Sequence, residues 1–332
     1  MKKWFMLMLV LLLAGCNSNG AGEEKPDEGQ NKEKVTVMLD WYPNAVHSFL
    51  YVAEEKGYFD EEGVDVDIQF PADPTDPIKL AAAGKVTLGI SYQPDVIMAR
   101  TDQGVSVKAV GALVRSPLNR VMFLKDSLIR TPKDLEGKTV GFTGIPLNEA
   151  IVRTMMEKDK GNPEKVKMVD VGFELNSAVV TKKADAVVGA YINHEVPLLK
   201  HEGHETRNLD PTKYGVPNFY ELVAVTSDQT WEEQEKDIKA FWRAAKKGFE
   251  FTEKHPDEAL QILLSKQDEA NFPLIEEVEK QSLDILLPKM KSEKGFGSQA
   301  KEPWEETAQW MKKAGLIKKE PKIDDMFINI AD

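Results

Sequence analysis

The sequence predicts an α/β protein of two lobes, between which the chain crosses twice. Three observations carry that prediction. From Val35 onward short β-rich runs alternate with amphipathic helical stretches over short connections, the pattern of a mainly parallel sheet covered by helices. Near Phe123 the alternation restarts as a second unit of the same kind. At 332 residues, 42% of them hydrophobic, the chain is long enough that two compact lobes form more readily than one core.

The first unit opens with a strand over 35–39, a loop Trp41-Tyr42-Pro43-Asn44, and a helix over 45–56. Gly57 stops that helix from the C′ position, which favours glycine. A strand over 64–70 follows, with Val64, Val66, Ile68 and Phe70 alternating with polar residues. Then come a helix over 78–83, a strand over 86–90, a helix over 94–101 and a strand over 105–113. The second unit reads as a strand over 139–142, a helix over 147–158, a strand over 166–171 and a short helix over 174–181. A strand over 184–188 and a helix from about Asn193 to His201 complete it. A strand over 219–225 leads into a charge-rich helical remainder at 231–253, 256–264, 273–287 and 302–314. The crossings are expected near 122–125 and 218–222, giving lobe I as 35–122 plus 222–332 and lobe II as 123–221. Two extended connections imply a hinge, with ligand held in the cleft.

Ahead of this body, Lys2 and Lys3 precede a ten-residue apolar run over 4–13, followed by Ala14, Gly15 and Cys16. A membrane-spanning helix needs about 20 residues. A basic start, a short apolar core and small residues instead predict a secretory signal peptide over 1–15. The order Leu13-Ala14-Gly15-Cys16 resembles a bacterial lipobox, with Cys16 the lipidated first residue of the mature chain. Residues 16–34 are polar and hold no aliphatic side chain larger than alanine, so they predict a flexible tether. The expected location is the extracytoplasmic face of the bacterial cell membrane, through a lipid anchor. The 43 basic and 55 acidic side chains give −12, a field that repels nucleic acid. One cysteine excludes a disulfide framework or a site of several thiolates.

Ligand-binding residues are expected at the carboxyl ends of strands, where open α/β sheets present their loops. In the first such loop Trp41 and Tyr42 offer flat faces or pack inside. Asn44 is placed to cap the next helix, and His47 points at the cleft or at the lobe. In the second, Tyr92 stands between a strand end and a helix start. The third, Gly141-Phe142-Thr143-Gly144, brings backbone amides and a helix N-terminus close to a ligand, but no Gly-Lys-Ser/Thr follows to support nucleotide hydrolysis. The fourth supplies Tyr191 and, one helical turn on, Glu195. A carboxylate there accepts the exocyclic amine of an aminopyrimidine, or lies on the surface in a favourable helix dipole. His194, His201 and His204 lack a clear set of metal ligands, and no catalytic serine or zinc motif appears.

Asp40-Trp41-Tyr42-Pro43-Asn44 with His47, Ala53-Glu54-Glu55-Lys56-Gly57-Tyr58-Phe59, Asp134-Leu135-Glu136-Gly137-Lys138 and Gly141-Phe142-Thr143-Gly144 resemble solute-binding proteins related to thiamine-pyrimidine synthases. The similarity runs from about Val35 to the C-terminus. The Asp-Trp-x-Pro-Asn element is the more specific; the Gly-Lys-Thr-Val-Gly strand is shared by many binding proteins. The resemblance implies a periplasmic-binding-protein-like type II fold that delivers its ligand to an ABC permease and ATPase. It also implies a thiamine-degradation pyrimidine with a formylated aminomethyl group as that ligand, salvaged for thiamine synthesis. The related synthases use a histidine and pyridoxal phosphate and carry a cysteine-rich segment, which this chain lacks. His47 matches the first-loop position of the family and Glu195 its acidic position in the second lobe.

The reading is therefore reversible binding without catalysis or cofactor, by a monomer. Trp41, Tyr92 and Tyr191 present aromatic faces, while Asn44, Glu195 and the Gly141–Gly144 backbone with Thr143 read the polar edge. Binding of a sulfonate or other small anion is the alternative, and it calls for an arginine or lysine at a loop tip. A pyridoxal-phosphate-dependent pyrimidine synthase is the rival from another class, and it calls for a lysine or histidine poised in the cleft.

Overall fold

The structure, a computed structural model, describes residues 32–267, 270 and 272–330. The expected leader, Cys16 and the tether up to residue 31 lie outside the described residues. The strands, in chain order, are β1 (Glu33–Met38), β2 (Val64–Gln69), β3 (Leu88–Ser91), β4 (Val107–Val114), β5 (Asn119–Leu124), β6 (Thr139–Phe142), β7 (Lys167–Asp170), β8 (Ala186–Tyr191), β9 (Thr206–Leu209) and β10 (Leu222–Ser227). They form two five-stranded sheets, ordered β2-β1-β3-β10-β4 and β7-β6-β8-β5-β9.

The two sheets share one plan. In the first, β1 pairs in parallel with β2 and β3, and β10 runs antiparallel between β3 and β4. In the second, β6 pairs in parallel with β7 and β8, and β5 runs antiparallel between β8 and β9. Each antiparallel strand in the fourth position is the one that follows a crossing from the other sheet. The chain thus crosses twice, as the α/β reading requires.

The crossings differ from expectation in detail. The outgoing one occupies 115–118, because β5 already belongs to the second sheet from Asn119; the expected 122–125 lies within and just past that strand. Arg120 lies within that strand. Its charge is buried there because the guanidinium donates to the Pro117 and Asn119 carbonyls at 3.2 and 2.7 Å and faces Asp210 at 3.6 Å. The return crossing spans 210–221. Glu33 and Lys34, expected in the tether, instead pair with Val64 and Asp65 in β1. The short edge strand β9 was not anticipated: its Thr-Arg-Asn-Leu sequence lacks alternation and pairs on one side only.

Local chemistry sets the helix ends. Asn44 caps the turn Ala45–His47, its Oδ1 accepting from Val46 N at 3.1 Å, and the helix Ser48–Glu55 continues from it. Gly57 sits beyond the Lys56 cap with φ +72°, a left-handed conformation that costs glycine little. Ser227 caps the long helix Asp228–Lys254 through Thr230 N at 2.9 Å. That helix presses Trp242 onto β4, where a Cβ at Gly111 would lie 2.1 Å from the indole, so the close approach needs glycine. The outer edge of β4 is covered by the C-terminal segment: Ala112 N donates to Gly297 O, Ala109 N to Met326 O, and Ile328 N to Ala109 O, each at 2.9 Å. Among the described residues no helix is long and apolar enough to cross a membrane.

Candidate functional site

The four loops singled out in the sequence all follow parallel strands, β1, β3, β6 and β8, and their ends converge between the two sheets. The cavity they enclose is lined by Asp40, Trp41, Asn44, Val46 and Tyr92 from the first sheet's side, and by Thr143, Ile145, Leu147, Asn148, Gly189, Tyr191, Asn193, His194 and Glu195 from the second's. Asn119 and Glu221 line it at the two crossings. The space open to the centre of a water molecule is only ≈30 Å³. A substituted ring enters such a slot only if its walls part.

The β1 loop is rigid. His47 is fully buried, with Nδ1 accepting from Asn44 N at 3.2 Å and Nε2 2.9 Å from Asp40 Oδ1. An acceptor role for Nδ1 puts the proton on Nε2, which therefore donates to Asp40. His47 thus fixes the loop from behind and does not line the cavity, contrary to expectation; the 3₁₀ turn Ala45–His47 rotates its ring inward. Asn44 does line it, but with its amide engaged: Nδ2 donates to Tyr42 O at 2.9 Å. Glu279 Oε2 accepts from Ala45 N at 2.7 Å, bracing the turn from the helix Glu276–Met290.

The aromatic expectations divide. Trp41, Tyr92 and Tyr191 line the cavity. Burial, reinforced by the negative charge of Asp40, holds the Tyr92 hydroxyl well above its usual range. Tyr42 faces away, stacked on Phe272 with ring centres 3.9 Å apart at 18°. Phe173, from the loop after β7, meets both rings of the first loop: Trp41 edge-on at 4.2 Å and Tyr42 at 4.8 Å. A ring from the second sheet's side is thereby clasped by two from the first.

On the second sheet's side a chain of amides shapes the wall. Asn119 Oδ1 accepts from Gly189 N at 2.9 Å, its Nδ2 donates to Asn148 Oδ1 at 2.9 Å, and Asn148 Nδ2 donates to Thr143 Oγ1 at 2.8 Å. Thr143 accepts at the end of this chain, which leaves its hydroxyl hydrogen for another acceptor. The two glycines do not behave as expected. Gly141 lies inside β6, where a Cβ would stand 3.2–3.3 Å from Val187 and Val171, so its backbone serves the sheet. Gly144, at φ +73°, lies against Asp170 and lines a separate, larger cleft of ≈620 Å³ beside the helices Asp76–Ala82 and Gln93–Thr101.

Three carboxylates line the cavity, of which the sequence reading singled out only Glu195. Its Oε2 accepts from Tyr191 N at 2.7 Å, and Oε1 lies 3.9 Å from His194 Nε2. Asp40 is held by His47. Glu221 is fully buried, and burial pushes its carboxyl up to about 7 against the pull of the Asn119 and Leu118 N–H groups, of Arg120 and of the Tyr191 hydroxyl. Its signal in the sequence was a lone charge inside the apolar run Phe219-Tyr220-Glu221-Leu222-Val223, which is costly unless the site uses it. Among the lining residues, Tyr191 Oη, Asn193 Oδ1, His194 Nδ1 and Glu221 Oε1 are buried without a hydrogen-bond partner in the described structure. Such atoms are rare in folded proteins, and four around one void mark it as a place for a polar, partly apolar guest.

The lining contains no lysine or arginine. His194 meets the requirement for a histidine in the cleft, but the lining lacks the amine that would hold pyridoxal phosphate as a Schiff base and a cation for its phosphate, so the residues present do not fit that cofactor.

Comparison with known proteins agrees with this geometry. A family model described as NMT1/THI5 like matches residues 44–259. The chain is 52% identical to a formylaminopyrimidine-binding protein of Halalkalibacterium halodurans, with 98% of each covered. It is 27% identical to a 4-amino-5-hydroxymethyl-2-methylpyrimidine phosphate synthase of Legionella pneumophila, over 77% of this chain and 80% of that one. Among solved structures, the alkanesulfonate-binding protein SsuA of Xanthomonas axonopodis pv. citri, bound to MOPS, superposes with a TM-score of 0.70 at 14% identity, covering 89% of this chain and 98% of that one. That likeness fixes the fold as the two-lobed periplasmic-binding-protein type.

Proposed function

Because the chain belongs to the NMT1/THI5-like family, we propose that it is the solute-binding component of an ABC importer and captures a formylaminopyrimidine reversibly for thiamine salvage. The observation that carries this reading is the cavity itself. Aromatic faces from Trp41, Tyr92 and Tyr191 surround buried polar atoms that make no hydrogen bond among the described residues. Stacking contributes about 0.5–1.5 kcal/mol per ring pair beyond area burial, and each hydrogen bond to a group otherwise left unpaired adds to it. Binding rather than turnover is the role in this reading, which the 52% identity to a binding protein supports.

The lobes, one built on each sheet, would part about the crossings at 115–118 and 210–221 and close on the ring, presenting the closed shape to a permease. Residues 1–15 would direct export, and Cys16 would anchor the body at the extracytoplasmic membrane face. The sulfonate reading finds no support in this cavity, whose charged side chains are Asp40, Glu195 and Glu221. Calorimetric titration of the mature chain with formylaminopyrimidine, read alongside tryptophan fluorescence, tests the proposal. Saturable heat with quenching is expected, and the absence of both overturns it.

A further inference from the structure

Glu221 stands on the return crossing, one residue before β10. Its Oε2 accepts the backbone N–H of Leu118 and of Asn119, the latter at 3.0 Å, so one carboxylate oxygen ties the return crossing to the outgoing one. Its Oε1 makes no hydrogen bond of normal geometry among the described residues, although the Tyr191 hydroxyl stands close enough to pull the carboxyl down; the oxygen is shut off from solvent and belongs to a side chain that lines the cavity. The other two carboxylates are engaged: Asp40 accepts from His47, and Glu195 accepts from Tyr191 N with its second oxygen turned toward His194. A buried acceptor in this state calls for a donor that arrives with the ligand.

From this geometry we infer that Glu221 Oε1 is a specificity-determining contact: it accepts an N–H of the bound heterocycle, selecting an amino-substituted ring and rejecting oxyanions. The inference rests on the aminopyrimidine reading above and adds to it which end of the cavity meets the amino group. It also gives a physical reason why a shared fold need not share a sulfonate ligand. A sulfonate oxygen placed against the ionised Glu221 would meet a like charge with no lysine or arginine in the lining to offset it, whereas an aromatic amine satisfies the orphaned oxygen. Because the contact is made at the crossings, the ligand's amino group also bears on the segment about which the lobes would turn.

Glu221→Gln separates these roles. The Leu118 and Asn119 N–H groups require an acceptor, which orients the new amide with its oxygen toward them and its NH₂ toward the cavity. The group facing the ligand thus changes from acceptor to donor at nearly constant shape. Titrations compare formylaminopyrimidine with its analogue carrying hydrogen in place of the ring amino group, on the wild-type mature chain and on E221Q. Wild type is expected to bind the parent about 10- to 100-fold more tightly than the analogue, and E221Q to lose most of that preference. MOPS is expected to give no saturable binding to the wild type, a measurement that stands even if the variant does not fold. The inference is overturned if E221Q keeps wild-type affinity for the parent to within about threefold. It is equally overturned if wild type fails to distinguish the two pyrimidines or takes up MOPS comparably. A wild-type chain that binds neither pyrimidine refutes the aminopyrimidine reading itself, and this inference with it.

Discussion

Phe173 offers a direct measure of what holds the two halves together. Its ring meets Trp41 edge-on at 4.2 Å and 73°, and Tyr42 at 4.8 Å and 37°. Trp41 and Tyr42 follow β1 of the first sheet, whereas Phe173 follows β7 of the second, so these pairs exist only when the halves are together. Two aromatic pairs at about 0.5–1.5 kcal/mol each put the closed arrangement about 1–3 kcal/mol below one without them. Phe173→Ala should therefore shift the closed-to-open ratio by about 5- to 150-fold toward open. When the open form predominates without ligand, the affinity for formylaminopyrimidine falls by the same factor. Calorimetry reads the affinity, and small-angle scattering with and without saturating ligand reads the shape. Phe173→Leu, which keeps apolar bulk but loses the ring, should fall between the two. If F173A binds the ligand as tightly as wild type and gives the same scattering curves, the clasp has no energetic role and the reasoning fails.

Two further predictions concern stability. Asp95, on the helix Gln93–Thr101, has a buried Oδ1 without a partner, and burial pushes its carboxyl up to about 7, with the Glu221 charge adding and the Ser91 hydroxyl opposing. A folded-state value above the unfolded one contributes stability that is present at low pH and lost as pH rises through about 7. Asp95→Asn should therefore gain on wild type by about 1–4 kcal/mol between pH 5 and pH 8.5, read by denaturant unfolding at both; a pH-independent difference contradicts the burial argument. Gly248, within the helix Asp228–Lys254, is predicted to resist its commonest replacement. An added Cβ would lie 2.1 Å from Phe49 O and 3.0 Å from Ala53 Cβ. A helix-propensity gain of about 1 kcal/mol is then outweighed by overpacking of about 1–3 kcal/mol or more against backbone that cannot step aside. Gly248→Ala should lower the thermal midpoint by several degrees, and an unchanged or raised midpoint refutes the assigned contact.

Much of the architecture could be read from the residues because local chemistry agreed with the tertiary outcome. The alternation in 64–70, the Asn44 cap and the Gly57 stop are each decided within a few residues, and each is present. Trp41, Tyr92, Thr143, Tyr191 and Glu195 reach the cavity because strand ends in a parallel sheet point one way, a rule that needs only the strand order. What the sequence did not disclose is rotation and partnership. His47 and Gly141 lie in segments that were correctly located, but a single turn of 3₁₀ helix and the packing of Val171 and Val187 face them away from the void. Arg120 is accommodated within β5 by nearby carbonyls and by Asp210, ninety residues on. Asn119, Asn148 and Glu221 belong to the wall through hydrogen bonds spanning the crossings, and no local pattern encodes such a bond.

The C-terminal segment laid along β4 has a consequence for how the molecule becomes self-contained. A bare edge strand is a template on which a neighbouring chain can extend the sheet. Here that rail is sealed by Gly297, Met326 and Ile328, residues far from β4 in sequence. Without them, the first sheet is open-sided. The same segment carries Trp304, Met311 and Met326 into the core, so losing it would expose both a sticky border and the interior behind it.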